Sequence, residues 1–179
     1  GCIDYSHLEI LLKSNQKTLV SLMHINNEIG SILDIQKVAD LCQANNVLFH
    51  SDTVQSVGHY HIDVKETPID FLVASAHKFH GPKGVGFAFI RKNSGLKSLI
   101  IGGTQERGIR AGTESIHDIV GLDESLALSY QFLEVENTQV RDLKSYFISE
   151  LTNHIPGIKF NGACSDCFCS RIGQQWLAQ

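Results

Sequence analysis

The stretch from Leu19 to Asp52 limits what this chain can fold into more than any other. Leu19 to Ile25 is an apolar run rich in β-formers and reads as a buried strand. It breaks at Asn26-Asn27-Glu28-Ile29-Gly30, a loop composition. Asp34 then stands as a helix N-cap, and Ile35, Val38, Ala39 and Cys42 fall at i, i+3, i+4 and i+7, one face of a helix. Asn45-Asn46 stops that helix, and Val47-Leu48-Phe49-His50 begins a second strand that ends at Ser51-Asp52. Strand, helix and strand within about 35 residues make a βαβ unit, whose strands lie parallel with a right-handed crossover. The expected class is therefore α/β.

The flanking patterns extend this unit. A short helix is expected over Tyr5 to Ser14, where Leu8, Ile10, Leu11 and Leu12 sit among polar neighbours. Ile62 to Pro68 is a connection, Asp70 to Ala74 a third strand, Gly84 to Arg91 a fourth, and Leu99 to Ile101 a short fifth. Gly102 to Thr113 is a glycine-punctuated loop carrying Arg107 and Arg110. The character then changes. Ile119, Leu122, Leu126, Tyr130 and Leu133 are spaced as one helical stripe, and Val140, Leu143, Phe147, Leu151 and Ile155 as another, ended by Pro156. The expected division is a large-domain portion over 1–114, then an interdomain helix and the start of a small C-terminal domain over 115–179. Both ends read as interior sequence, so the chain is expected to be a piece of a longer protein.

Composition removes several function classes. A net charge of -4 and a pI near 6.1 leave no nucleic-acid footprint. No apolar run approaches the roughly 20 residues of a membrane span, and Gly1-Cys2-Ile3-Asp4 lacks the basic region and apolar core of a secretory signal. Cys2, Cys42, Cys164, Cys167 and Cys169 are odd in number, and three of them cluster, which argues against a disulfide framework. A reducing, cytoplasmic setting is the simpler expectation.

In an open α/β sheet, ligands bind outside the carboxyl ends of the strands. Asn27 follows the first strand, Asp52 and Gln55 the second, and Ser75, His77 and Lys78 the third. Each has a bland reading when taken alone: one of ten lysines, a turn carboxylate, an asparagine turn, a hydroxyl serving its own backbone. Together, at successive strand ends, they match the needs of pyridoxal 5'-phosphate (PLP). That cofactor takes a lysine amine for an imine, which Lys78 can supply. It needs a carboxylate to keep its pyridine nitrogen protonated, so that the ring acts as an electron sink, and Asp52 can serve. Asn27 and Gln55 can donate amides to the phenolic oxygen, and Ser75 and His77 can reach the phosphate.

The motifs then become specific. Asn26-Asn27-Glu28-Ile29-Gly30, Asp52-x-x-Gln55-Ser56, Ser75-x-His77-Lys78-x-x-Gly81-Pro82-Lys83-Gly84 and Glu106-Arg107-Gly108-x-Arg110-x-Gly112-Thr113 occur in order and at matching intervals. Over about Ser6 to Asn161 the chain resembles the cysteine desulfurases of the NifS/IscS group. These are PLP enzymes of the class V aminotransferase family, fold type I. The Arg110-x-Gly112-Thr113 element favours this group over its SufS-like relatives.

The resemblance implies part of a mixed, mostly parallel large-domain sheet, followed by the helical start of a small domain. Lys78 would form the internal aldimine and later shuttle protons. Asp52 would pair with the pyridine nitrogen, Asn27 and Gln55 with the phenolic oxygen, and Ser75 and His77 with the phosphate. Thr113 would reach the phosphate in the other subunit of a homodimer. The substrate would be L-cysteine, the product L-alanine, and the sulfur would leave as a persulfide to an acceptor or iron–sulfur scaffold protein. The family's ring-stacking histidine would precede Gly1 and its nucleophilic cysteine would follow Gln179, so the 179 residues by themselves are expected to be inactive. Cys164, Cys167 and Cys169 are not at the nucleophile's position; their C-x-x-C-x-C spacing could hold a metal, but a structural zinc site wants four ligands and only His154 is near in sequence. The rival readings are a selenocysteine lyase or aminotransferase of the same class, and a non-catalytic fragment.

Overall fold

The computed structural model describes residues 2–14 and 16–160. The cysteine cluster at Cys164, Cys167 and Cys169 lies outside the described residues. The helix α1 (Tyr5–Leu12) leads to strand β1 (Leu19–Met23), helix α2 (Ile35–Ala44) and strand β2 (Leu48–Asp52). Strands β3 (Phe71–Ser75) and β4 (Gly86–Ile90) follow, and the long helices α3 (Ile116–Gln131) and α4 (Leu133–His154) close the described part. The sheet order is β1-β2-β3-β4.

The βαβ unit forms as its pattern demands. Asp34 caps α2 by accepting from the Lys37 amide at 3.0 Å, which satisfies one of the donors a helix start leaves free. Val38, Ala39 and Cys42 turn inward and are buried. Asn45 ends the helix with its side chain on the Leu41 carbonyl, and Asn46 takes a φ of 54, a backbone state asparagine tolerates better than most residues. β2 then returns parallel to β1, with Met23 opposite Asp52. β3 is also parallel to β2, although residues 53–70 cross over as turns rather than as a helix. β4 pairs antiparallel with β3. The ten residues 76–85 that join them are too few for a parallel crossover.

The core sits on one side of this sheet. Val20, Phe49 and Leu72 pack with Val38, Ala39 and Cys42 of α2 and with Leu12, Leu33 and Ile69. Two polar anchors close its edge: the Asp70 carboxylate accepts from the Phe49 amide at 2.8 Å, and the Arg91 guanidinium donates to the carbonyls of Ile69, Val64 and Thr67. A second cluster of Val57, Ala74, Ala76 and Phe79, with Leu122 and Leu126 of α3 against it, lies beneath the end of β3. The alternate residues Ser21, His50, Asp52, Val73 and Ser75 are exposed or half-buried. They belong to the other face, as the period of two requires.

The expected fifth strand does not form. Ile100 makes one isolated bridge to Arg110, and Leu99 and Ile101 are 92% and 88% exposed. Local β-propensity favours a strand there, but a strand needs a continuous ladder, and among the described residues the segment finds only that single bridge. The two helical stripes lie on α3 and α4, which meet at Phe132, except that Ile155 falls just past α4 as its extended C-cap. Leu133 opens α4 instead of ending α3. No helix among the described residues is long and apolar enough to cross a membrane.

Candidate active site

Three strand ends bring the polar residues to one edge. The His24 amide, just past β1, donates to the Asp52 carbonyl at 2.9 Å. The Thr53 amide and hydroxyl both donate to the Val73 carbonyl, at 3.1 and 2.7 Å. Asp52 also stands opposite Val73 in the ladder. These bonds tie the exits of β1, β2 and β3 together, so loops that leave them start from fixed points.

Asp52 is half-buried on the open face of the sheet. One carboxylate oxygen accepts from the Val54 amide at 3.0 Å, which orients the group. Gln55 is half-buried in the turn that follows. After β3 the chain winds into a short 3-10 turn, Ala76–Phe79, which carries His77 and Lys78. Ser75 Oγ and His77 Nδ1 lie 2.9 Å apart, so a hydroxyl and an imidazole meet where β3 ends. Lys78 is half-buried and His77 exposed, while Ala76 and Phe79 on either side are fully buried and pin the turn to the second core cluster.

Asn27 lies after β1, half-buried, with its side-chain amide on the Glu28 carboxylate at 2.9 Å. Asn26 shapes that loop by accepting from the Glu28 and Ile29 amides. Thr113 is exposed on the stretch before α3. Among the described residues, no hydrogen bond joins it to Asn27, Asp52, Gln55, Ser75, His77 or Lys78. Its loop is organised by Gln105, which accepts from the Gly112 amide, and by Arg110, which donates to the Gly112 carbonyl.

Two residues of this region carry no sequence signal that points to the site. His24 is buried, its ring tilted against Tyr60 at 5.9 Å, and among the described residues its Nδ1 has no hydrogen-bond partner. Burial pushes its pKa down from 6.5 to about 4, so it is neutral at ordinary pH. His59 is also buried, and its Nε2 lies 2.9 Å from the Lys78 carbonyl. Burial raises the phenol of Tyr130, partly offset by a hydrogen bond with the Gly58 backbone. Among the described residues, no group of three or more His, Cys, Asp or Glu side chains could hold a metal ion.

The structure thus sets an oriented carboxylate, a lysine and a hydroxyl–imidazole pair at the carboxyl edge of an open α/β sheet, the edge where such sheets place their ligands. A family model for class-V aminotransferases matches residues 1–170, and the chain belongs to that family. Cysteine desulfurase IscS of Clostridium botulinum (strain Hall) is 44% identical over 149 residues, covering 83% of this chain and 38% of the relative. That of Dictyoglomus turgidum is 40% identical over 166 residues, covering 93% and 42%. The solved structure of a NifS-like protein from Rickettsia africae superposes with a TM-score of 0.81 at 32% identity, covering 87% of this chain and 44% of that one. The fold is thus the α/β fold of the NifS-like, type I PLP enzymes. The chain spans about two-fifths of the length of the curated relatives it matches.

Proposed function

We propose that the chain carries the cofactor-binding core of a PLP-dependent cysteine desulfurase. The observation that carries this reading is the junction of β2 and β3. Asp52 and Val73 are ladder partners, and Ser75, His77 and Lys78 leave the end of that same third strand. One edge therefore offers a carboxylate for a ring nitrogen, an amine for an aldehyde, and a hydroxyl with an imidazole for a phosphate. That donor set fits PLP in kind, and the NifS-like relatives support the same group.

The roles follow from chemistry. Asp52, oriented by the Val54 amide, would hold a proton on the pyridine nitrogen. Ser75 Oγ and His77 would bind the phosphate, with Thr113 reaching the phosphate held by a second subunit. Asn27 and Gln55 would donate to the phenolic oxygen; for Asn27 this means exchanging its bond to Glu28. Lys78 would anchor the aldehyde and move a proton at the substrate carbon. Bound there, PLP would supply an electron sink for the electrons released at that carbon.

The substrate we infer is L-cysteine, leaving L-alanine. A thiolate would take the sulfur as a persulfide and pass it to an acceptor such as an iron–sulfur scaffold protein. A homodimer and a reducing compartment, the cytoplasm, belong to this reading. The test is visible absorbance of the full-length protein after loading with PLP, which Lys78→Ala should abolish. A protein that takes up no PLP, or one whose Lys78→Ala variant keeps the same band, sinks the reading.

A further inference from the structure

The turn that carries Lys78 is held from outside by side chains. A single 3-10 turn has few bonds of its own. Here the His80 and Gly81 amides both return to the Ala76 carbonyl, and His80 closes the turn with a φ of 68. The last two acceptors of the turn, the carbonyls of Lys78 and Phe79, face side chains instead. His59 Nε2 lies 2.9 Å from the first, and Ser129 Oγ donates to the second at 3.3 Å. A carbonyl oxygen only accepts, so the hydrogen is on Nε2 of His59.

His59 is itself held. It is 8% exposed, and its carbonyl accepts from Asn137 Nδ2 of α4 at 3.1 Å. The next carbonyl, that of Tyr60, accepts from the Tyr130 hydroxyl at 3.4 Å. Gly58, just before it, packs so closely that an added Cβ would lie 2.7 Å from the Cβ of Phe79. The 58–60 segment is therefore a fixed support, and its imidazole touches the one residue of the turn whose side chain needs to arrive at a set point. A lysine amine rides on a long flexible stem, so a set backbone position is what limits where it can go.

We propose that His59 is a positioning residue for Lys78. Its Nε2–H on the Lys78 carbonyl, seconded by Ser129 on the Phe79 carbonyl, fixes the turn that presents the lysine amine at the carboxyl edge of the sheet. The proposal rests on the reading of Lys78 as the cofactor anchor. It differs from a merely structural histidine in what its loss disturbs: the reactivity of one amine, in a protein that remains folded.

The test uses the full-length protein and two substitutions. His59→Gln places an amide N–H near the position of Nε2, and His59→Met keeps bulk without a donor. Two readouts are taken, after circular dichroism establishes folding. One is the rate at which PLP with borohydride labels Lys78, located by peptide mass spectrometry. The other is the pH midpoint of the visible band of the loaded protein. His59→Met should slow labelling about five-fold, the scale of one lost hydrogen bond, and move the midpoint; His59→Gln should restore both. Equal rates and midpoints in all three proteins overturn the role of His59 while leaving the anchor intact, and so does a Gln variant that behaves like Met. No label on Lys78 in the unsubstituted protein overturns the anchor reading and this proposal with it. Should His59→Met not fold, Ser129→Ala decides: a slowing of about two-fold or more is expected, and unchanged rate and midpoint refute the proposal.

Discussion

Gly58 and Gly95 share a φ of +79 but not an environment, and the pair isolates what packing under Lys78 is worth. At Gly95 an added Cβ meets nothing within 4 Å. At Gly58 it would meet the Cβ of Phe79 at 2.7 Å, its Cγ at 3.2 Å and the Cβ of Ser129 at 3.3 Å. A left-handed backbone costs an L-residue about 1 kcal/mol in either place. Gly95→Ala should therefore lose about 1 kcal/mol of stability. Gly58→Ala adds an overpacking cost of about 1–3 kcal/mol, because Phe79 is fully buried and cannot retreat. The total is about 2–4 kcal/mol. Urea unfolding of the two variants reads the difference directly. With an m-value of about 1–3 kcal/mol/M, the midpoint of Gly58→Ala should lie about 1 M below that of Gly95→Ala. Midpoints that coincide, with unchanged slopes, would show that the Gly58–Phe79 contact is not tight and would refute the reasoning.

Other outcomes follow from single groups. His24 is neutral in the fold, its pKa lowered by burial from 6.5 to about 4. Between those values the unfolded chain binds a proton that the native one does not. The contribution is therefore complete above pH 6.5 and is lost as pH falls toward 4, on the order of 3 kcal/mol at most. His24→Leu should flatten that slope in urea titrations at pH 7 and pH 4.5, and an unchanged slope removes His24 as its source. Cys42 is buried, with its thiol pushed up to about 11 by burial and then by the charge of Asp70. Iodoacetamide should label the exposed Cys2 in the native protein and Cys42 only after unfolding, as read by peptide mass spectrometry. Asp52→Ala should weaken PLP retention about ten-fold or more, the scale of a lost charge-assisted bond; an unaltered cofactor titration would deny Asp52 its role at the ring nitrogen.

Local rules explain which features of the fold were readable. Asp34 and Asn45 act on amides and carbonyls within four residues, so their types announced the ends of α2. The inward positions of α2 likewise depend only on helical period. Leu99 to Ile101 has a strand composition yet forms one bridge, because pairing depends on what the rest of the chain places alongside. Asp52 and Lys78 could be nominated by position after strands. Ser75 and His77 could be grouped by their closeness in sequence, but their contact at 2.9 Å came from the turn that follows β3. His24 and His59 could not be nominated, since neither burial nor a reach to a distant carbonyl leaves a mark in neighbouring residues.

From the chain alone came the order of the first four strands and the α-helices, the parallel βαβ unit and the set of polar groups at strand ends, since each depends on a few consecutive residues. Folding in three dimensions decided the rest. It set β4 antiparallel beside β3, left Asp52 on the open face, and carried His59 across nineteen positions to the backbone of Lys78. Those outcomes depend on where the whole path of the chain goes, and a hydrogen bond or a packed face exists only once both partners have arrived.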